Sequence, residues 1–221
     1  MSGLGHVERG GPPLVQHLSG TVSCTKLSVG PMDNNAYLLD AGTGAAVLID
    51  AANDEQRLLN LVGEAGLQVI VTTHRHGDHI QALADVAAAT GAALLAGRPD
   101  AAAIEAGAGV SGIRGVWDGD QVPLGTESLE VIGLVGHTPG SITLAYRPAD
   151  GPAHLFTGDS LFPGGPGKTR RREDFESLMN DLETKIFDRF GDDTVVHPGH
   201  GDDTTLGAER PHLGEWRARG W

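Results

Sequence analysis

Cysteine is almost absent: Cys24 is the only one in 221 residues. No internal disulfide can form, which excludes a disulfide-stapled extracellular scaffold. Cys24 sits in the alternating run 21–29 and reads as a passive strand residue, with no triad-like spacing around it. Long apolar runs are missing as well. No apolar stretch reaches 18 residues, so no membrane-spanning helix is expected. The N-terminus lacks a charged segment followed by an apolar one, which argues against a secretory leader. Basic residues are scarce, 16 against 29 acidic, and the formal charge is −13. A non-specific nucleic-acid binder or a partner of anionic membrane needs a basic stripe. The one basic cluster, Lys168-Thr169-Arg170-Arg171-Arg172, is short and is followed at once by acidic residues. These absences predict a cytoplasmic protein with neither nucleic acid nor membrane as partner, existing as a monomer or homodimer.

What is present suits a folded domain. Apolar residues make up 39% and charged residues 20%, enough for a hydrophobic core and against wholesale disorder. The 33 glycines follow no strict period and read as turns and close backbone approaches. Residues 1–17 are rich in Gly and Pro and are expected to be weakly ordered, with a single domain over 18–221. Within it, strands are expected from about 18, at 35–40 and at 45–50, with a turn at 41–44. A helix capped by Asn53 or Asp54 runs to about Glu64, with Gly66 as its stop. The buried strand 67–72 follows, then a helix from Asp78 to near Gly91, a strand at 92–96 and a helix at 100–106. Strands at 129–135, 141–147, 153–157 and 194–196 complete the pattern, with the longest helix over 172–190. The order is β-meander, βαβα, β-meander, α, β. That fits an α/β fold built as an αββα four-layer sandwich better than one doubly wound sheet, which would alternate throughout.

The run Thr73-His74-Arg75-His76-Gly77-Asp78-His79 places three imidazoles and a carboxylate directly after strand 67–72. His74 and His76, one residue apart, can face one cavity from an extended segment. Asp78 and His79 open the next helix and point to a neighbouring position. One cation cannot easily take all four groups; two can. Imidazole and carboxylate suit zinc first, with iron and manganese behind it. Three more polar signals lie at later strand ends: His137, Asp159 and His200. Strand ends feeding loops are where α/β folds place chemistry. His6, His17 and His154 read as surface or satisfied histidines, and His197 and His212 carry little more weight. Three residues are candidates for orienting ligands from behind: Asp50 at a strand end, and Thr73 and Thr138 beside the site. The Gly164-Gly165-Pro166-Gly167-Lys168-Thr169 stretch is not a phosphate-cradling loop, because that motif needs glycine where Phe162 stands.

Four segments together carry a resemblance: His74-Arg75-His76-Gly77-Asp78-His79, Gly136-His137-Thr138-Pro139-Gly140-Ser141, Thr157-Gly158-Asp159-Ser160-Leu161-Phe162 and Pro198-Gly199-His200-Gly201. The set resembles the metallo-β-lactamase superfamily and, within it, the glyoxalase II-like (hydroxyacylglutathione hydrolase-like) metallo-hydrolases, over about residues 20–205. The resemblance implies a dinuclear site between two sheets. His74, His76 and His137 would hold one metal, Asp78, His79 and His200 the other, and Asp159 would bridge both. It implies two Zn2+, with Fe or Mn or a single Fe2+ as alternatives. Asp78 and Asp159 would then serve catalysis through a metal-bound water whose pKa two dications depress, and the activity would be hydrolysis of a thioester or ester. Lys168 matches the basic residue that follows a Gly-Gly-x-Gly loop in such enzymes, and Lys168 with Arg170 would meet a small anionic substrate. About twenty residues follow His200, too few for the helical region that binds glutathione in full glyoxalase II enzymes, so the acyl-carrying thiol stays open. Other activities compatible with the motifs are a mononuclear iron persulfide dioxygenase, a lactonase-type hydrolase and a non-enzymatic binding protein with a relict metal site.

Overall fold

Strands buried on both faces dominate the computed structural model, which describes residues 3–42, 44–63 and 66–220. The first sheet has the order β1 (Leu14–His17), β2 (Ser23–Val29), β3 (Asn34–Asp40), β4 (Ala46–Ile49), β5 (Leu67–Thr72), β6 (Ala93–Gly97), β7 (Arg114–Val116). Strands β1 to β4 pair antiparallel, as short turns require; β4 to β7 pair parallel. Helices α1 (Glu55–Val62), α2 (Leu83–Thr90) and α3 (Ala101–Ala108) provide the crossovers of the parallel half. The second sheet is built from β8 (Gln121–Leu124), β9 (Glu127–Gly133), β10 (Ile142–Tyr146), β11 (His154–Gly158), β14 (Val195–Pro198) and β15 (Thr204–Thr205), with β11 and β14 parallel. A small hairpin, β12 (Leu161–Phe162) with β13 (Gly165–Pro166), follows β11. Helices α4 (Arg172–Asp181), α5 (Leu206–Glu209) and α6 (Leu213–Arg219) complete the chain.

Period-2 alternation decides which core each side chain enters. In β5, Val69 and Val71 join the layer between the sheets, whereas Ile70 packs with Leu58, Leu83 and Ile104 of the first three helices. In β10, Ile142, Leu144 and Tyr146 face the inter-sheet layer, and Ala145 faces Phe175, Leu178 and Trp216 of the helices behind the second sheet. Three cores separated by two sheets make a four-layer αββα sandwich.

The element boundaries depart from the sequence expectations in instructive ways. Strand β1 falls inside the segment expected to be weakly ordered, and its register with β2, Leu14 opposite Lys26, makes it the edge of the first sheet. Helix α1 stops at Gly63, whose φ of +54° is left-handed, not at Gly66. The helix expected to run unbroken from Asp78 is instead a 3-10 turn, Gly77–His79, followed by α2. The Gln81 and Ala82 amides donate to the Ala52 and Ala51 carbonyls, which interrupts the ladder between the two. The long helix over 172–190 is α4 continued by a π-helical stretch, Leu182–Phe187. That widening keeps Leu182, Ile186 and Phe187 all in the core. Strands β7 and β8, in the glycine-rich stretch 107–125 for which the sequence gives no strand expectation, form the outer edges of the two sheets. Thr43 of the expected turn, Glu64 at the expected helix end and Trp221 lie outside the described residues.

Candidate metal centre

The candidate site lies where β5, β9, β11 and β14 end. The segment after β5 carries His74, His76, Asp78 and His79, and the segments after β9, β11 and β14 carry His137, Asp159 and His200. The sandwich brings all seven together in two groups. His74, His76, His137 and Asp159 form one, and Asp78, His79 and His200 the other; within each group the donor atoms lie within 4.8 Å of one another. Asp159 faces both. Its Oδ2 is 3.8 Å from His74 Nε2, 3.6 Å from His137 Nε2 and 3.4 Å from His200 Nε2, and its Oδ1 is 3.4 Å from His79 Nε2.

The hydrogen bonds behind the imidazoles set their tautomers. His79 Nδ1 donates to Asp50 Oδ2 at 2.9 Å, His137 Nδ1 to the Lys168 carbonyl at 2.7 Å and His200 Nδ1 to the Met32 carbonyl at 3.0 Å. The Thr73 hydroxyl donates to Asp50 Oδ2 at 2.8 Å, so it accepts from His74 Nδ1 at 3.0 Å. In each neutral ring Nε2 is therefore the bare nitrogen, and it points into the site. His74 Nε2, His137 Nε2 and Asp159 Oδ1 are buried without a hydrogen-bond partner. His79 Nε2 and His200 Nε2 face each other at 3.1 Å. Two facing lone pairs at that distance repel unless a cation or a proton lies between them. A donor set of imidazoles and carboxylates converging in two groups, three of its atoms buried without a partner, fits metal ions in both.

Electrostatics follow the same division. Burial, reinforced by the neighbouring histidines, holds the His74 imidazole well below its usual value, and burial also lowers His76 and His137. Neutral rings are what metal ligation needs. Burial also works against charge on His79, but Asp50 and Asp159 outweigh it and lift His79 to about 10. Burial opposes ionisation of Asp159, yet His200 and His79 hold it well below the carboxylate range.

Of the three residues expected behind the ligands, Thr73 and Asp50 lie at hydrogen-bonding distance from His74 and His79. Asp50 is buried, with a left-handed φ of +57°, and its Oδ1 accepts from the Thr73 amide at 2.7 Å. Thr138 does not touch a ligand-type residue. Its hydroxyl donates to Asp100 Oδ2 at 2.5 Å, and its amide donates to Ser141 Oγ at 3.1 Å. Asp100 is a residue the sequence reading missed. It looked like the start of α3, but its carboxylate caps no helix amide. It accepts instead from the Arg75 and Gly140 amides, tying the His74–His76 loop to the His137 loop. Asn34 was missed too; its Nδ2 donates to Asp78 Oδ2 at 2.9 Å. The only signal for it was a polar pair, Asn34-Asn35, opening an apolar strand. Gly199 is required by close approach: a Cβ there would collide with Asp159 Oδ1 and lie 2.8 Å from His79 Cε1.

Two cavities meet at His137. One, of about 520 Å³, is lined by Arg75, His76, Thr138, Arg170 and Arg171 among others. The second, of about 350 Å³, lies along Phe162, the Gly164–Gly167 loop, Lys168 and Arg219. Lys168 and Arg170, both exposed, thus line different cavities on either side of His137.

Comparison with known proteins accords with this geometry. The family model for the metallo-beta-lactamase superfamily matches residues 29–200, and the chain belongs to that superfamily. Its curated relatives include glyoxalase II-like proteins. It is 37% identical over 162 residues to a hydroxyacylglutathione hydrolase of Polaromonas sp. (strain JS666 / ATCC BAA-500), covering 72% of this chain and 58% of that protein. It is 30% identical over 182 residues to hydroxyacylglutathione hydrolase GloC of Haemophilus influenzae, covering 75% and 84% respectively. Among solved structures, TTHA1623 in a di-iron-bound form matches with a TM-score of 0.70 and 29% identity, over 84% of this chain and 96% of that one. The chain spans only 53–61% of the length of three hydroxyacylglutathione hydrolases it matches. Among the described residues, no helix is long and apolar enough to cross a membrane.

Proposed function

We propose that the protein is a metal-dependent hydrolase of a small anionic thioester or ester, working at a dinuclear centre. The observation that carries this reading is the pair of adjoining donor groups, with Asp159 3.4–3.8 Å from histidines of both and the Nε2 atoms of His74 and His137 buried without a partner. In this reading His74, His76 and His137 would hold one ion and Asp78, His79 and His200 the other, with Asp159 within reach of both groups. Zinc suits the donor set best, with iron or manganese as alternatives; the di-iron relative keeps iron in view. When bound, such a pair supplies an activated water and polarises the substrate carbonyl.

The chain's own residues do the rest. Asp78 and Asp159, kept as carboxylates, would supply negative charge to offset that of two dications. Asp50 and Thr73 keep His79 and His74 in the tautomer that presents Nε2. Lys168 in one cavity and Arg170 in the other bind acidic groups of the substrate on either side of His137. In an acidic chain, cations concentrated at these two walls favour an anionic ligand there. The GloC relative, matched over most of its length, keeps glutathione thioesters among the candidates.

The test is metal analysis of the purified protein, then turnover of a thioester panel spanning glutathione and other low-molecular-weight thiols. The expected result is two ions per chain and hydrolysis that His76→Ala abolishes. Turnover no greater than that of the His76→Ala protein across the whole panel would sink the reading.

A further inference from the structure

Beneath the His200 loop lies a buried polar cluster that the proposed chemistry does not use. The side chains of Lys26, on β2, and Asp203 are 2% and 0% exposed. Lys26 Nζ donates to Asp203 Oδ1 at 2.7 Å, to the Gly201 carbonyl at 2.7 Å and to the Gly5 carbonyl at 2.9 Å, so all three ammonium protons are placed. Asp203 Oδ2 accepts from His197 Nδ1 at 3.0 Å, and His197 Nε2 lies 3.1 Å from His154 Nδ1. Beside Lys26, Asn35 Nδ2 donates to the Pro198 and Gly201 carbonyls, both at 2.9 Å, and its amide donates to the Gly199 carbonyl at 2.8 Å. Tyr37 Oη donates to the Pro198 carbonyl at 2.7 Å. The carbonyls flanking His200 are thus held by donors from β2 and β3.

Those donors belong to the first sheet, and Asp78 and His79 lie in the turn that follows its strand β5, whereas His200 follows β14 of the second. The spacing of His200 Nε2, 3.3 Å from Asp78 Oδ2 and 3.1 Å from His79 Nε2, is therefore set across the boundary between the sheets. None of the hydrogen bonds just named reaches His74, His76 or His137. A buried ion pair is a poor source of stability, because desolvation offsets its Coulomb gain and an apolar pair of similar volume serves as well. An apolar pair cannot donate to the Gly201 carbonyl.

We propose that Lys26, with Asp203 as its counter-ion, is a positioning residue for His200, and that it governs retention of the ion at Asp78, His79 and His200 separately from the ion at His74, His76 and His137. The inference rests on the dinuclear reading above. Lys26→Met alone strands a buried carboxylate, so the informative variant is Lys26→Met with Asp203→Asn, which removes both charges and the donor. Wild type and variants are loaded with cobalt(II), desalted, and assayed by elemental analysis, visible spectroscopy and circular dichroism. Wild type is expected to hold two cobalt ions per chain. The folded double variant is expected to hold one, with the spectrum of Asp78→Ala and not that of His76→Ala, its affinity for the second ion falling roughly 10–100-fold. Lys26→Gln with Asp203→Asn, which keeps a donor, is expected to recover the second ion. If the Met variant does not fold, Asp203→Asn alone serves, with a smaller loss confined to the same ion. A folded variant that keeps both ions at wild-type affinity, or weakens both equally, overturns the inference and leaves the dinuclear reading standing. A wild type that takes up one ion overturns that reading and the inference with it.

Discussion

His79 shows what a buried imidazole does when its surroundings are acidic. Asp50 on one nitrogen and Asp159 near the other lift its ionisation to about 10 against the desolvation that would lower it. The metal-free protein therefore carries a protonated His79 at neutral pH, and a cation must displace that proton to reach Nε2. Uptake of metal between pH 7 and 9 is expected to release protons and to strengthen as pH rises. Calorimetric titration in buffers of different ionisation enthalpy measures the release; identical heats in all buffers would contradict it. The linkage sign is that of a raised pKa. In the metal-free protein the stabilising contribution of His79 is fully present below its ordinary value near 6.5 and is lost as pH rises through about 10. Asp50 was legible as a candidate because a carboxylate closing an apolar strand needs a partner. Asp100 was not, because an aspartate ahead of a helix looks like a cap, and only the fold brings the His137 loop against it.

At the level of elements, the last helix links the fold to the site. Trp216 of α6 is 2% exposed and packs edge-on to Phe187 at 6.2 Å between ring centroids, in the core behind the second sheet. One turn on, Arg219 lines the cavity beside Asp159 and Lys168, and a Cβ at Gly165 would come within 3.2 Å of its guanidinium. Trp216→Ala is expected to cost about 3–5 kcal/mol, as large aromatic truncations in cores do, read as a lower denaturant midpoint with an unchanged slope. A change under about 1 kcal/mol would mean that α6 is not anchored by its tryptophan. Long, strongly periodic elements such as α4 and β5 were legible in the sequence, since burial on one stripe or on both faces leaves a pattern. The break between the turn at Gly77–His79 and α2 was not, because amides bonded to the Ala51 and Ala52 carbonyls cause it, and those lie far away in sequence.

For the molecule as a whole, the candidate centre joins loops from both sheets. Ions held there bind the native state and not the unfolded chain, so they stabilise it by mass action. With free zinc at about a hundredfold over its dissociation constant the gain is about 2.7 kcal/mol, which for a chain of this size corresponds to roughly 5–10 °C in Tm. Stripping the protein with a chelator is expected to lower Tm by that amount, and adding zinc back to restore it. An unchanged Tm across the cycle would show that the centre does not tie the sheets together. The amino-acid sequence by itself determined the αββα class, through element order and alternation, and named all seven donor residues, because ligand chemistry needs particular side chains at strand ends and leaves them in the motif. Tertiary structure alone decided which nitrogen each imidazole presents, that Asp100 ties the His74–His76 loop to the His137 loop, and that Lys26 and Asp203, 177 positions apart, meet beneath His200. Those are relations between distant segments, and hydrogen bonds across a sheet boundary leave no period or spacing in either segment to be read.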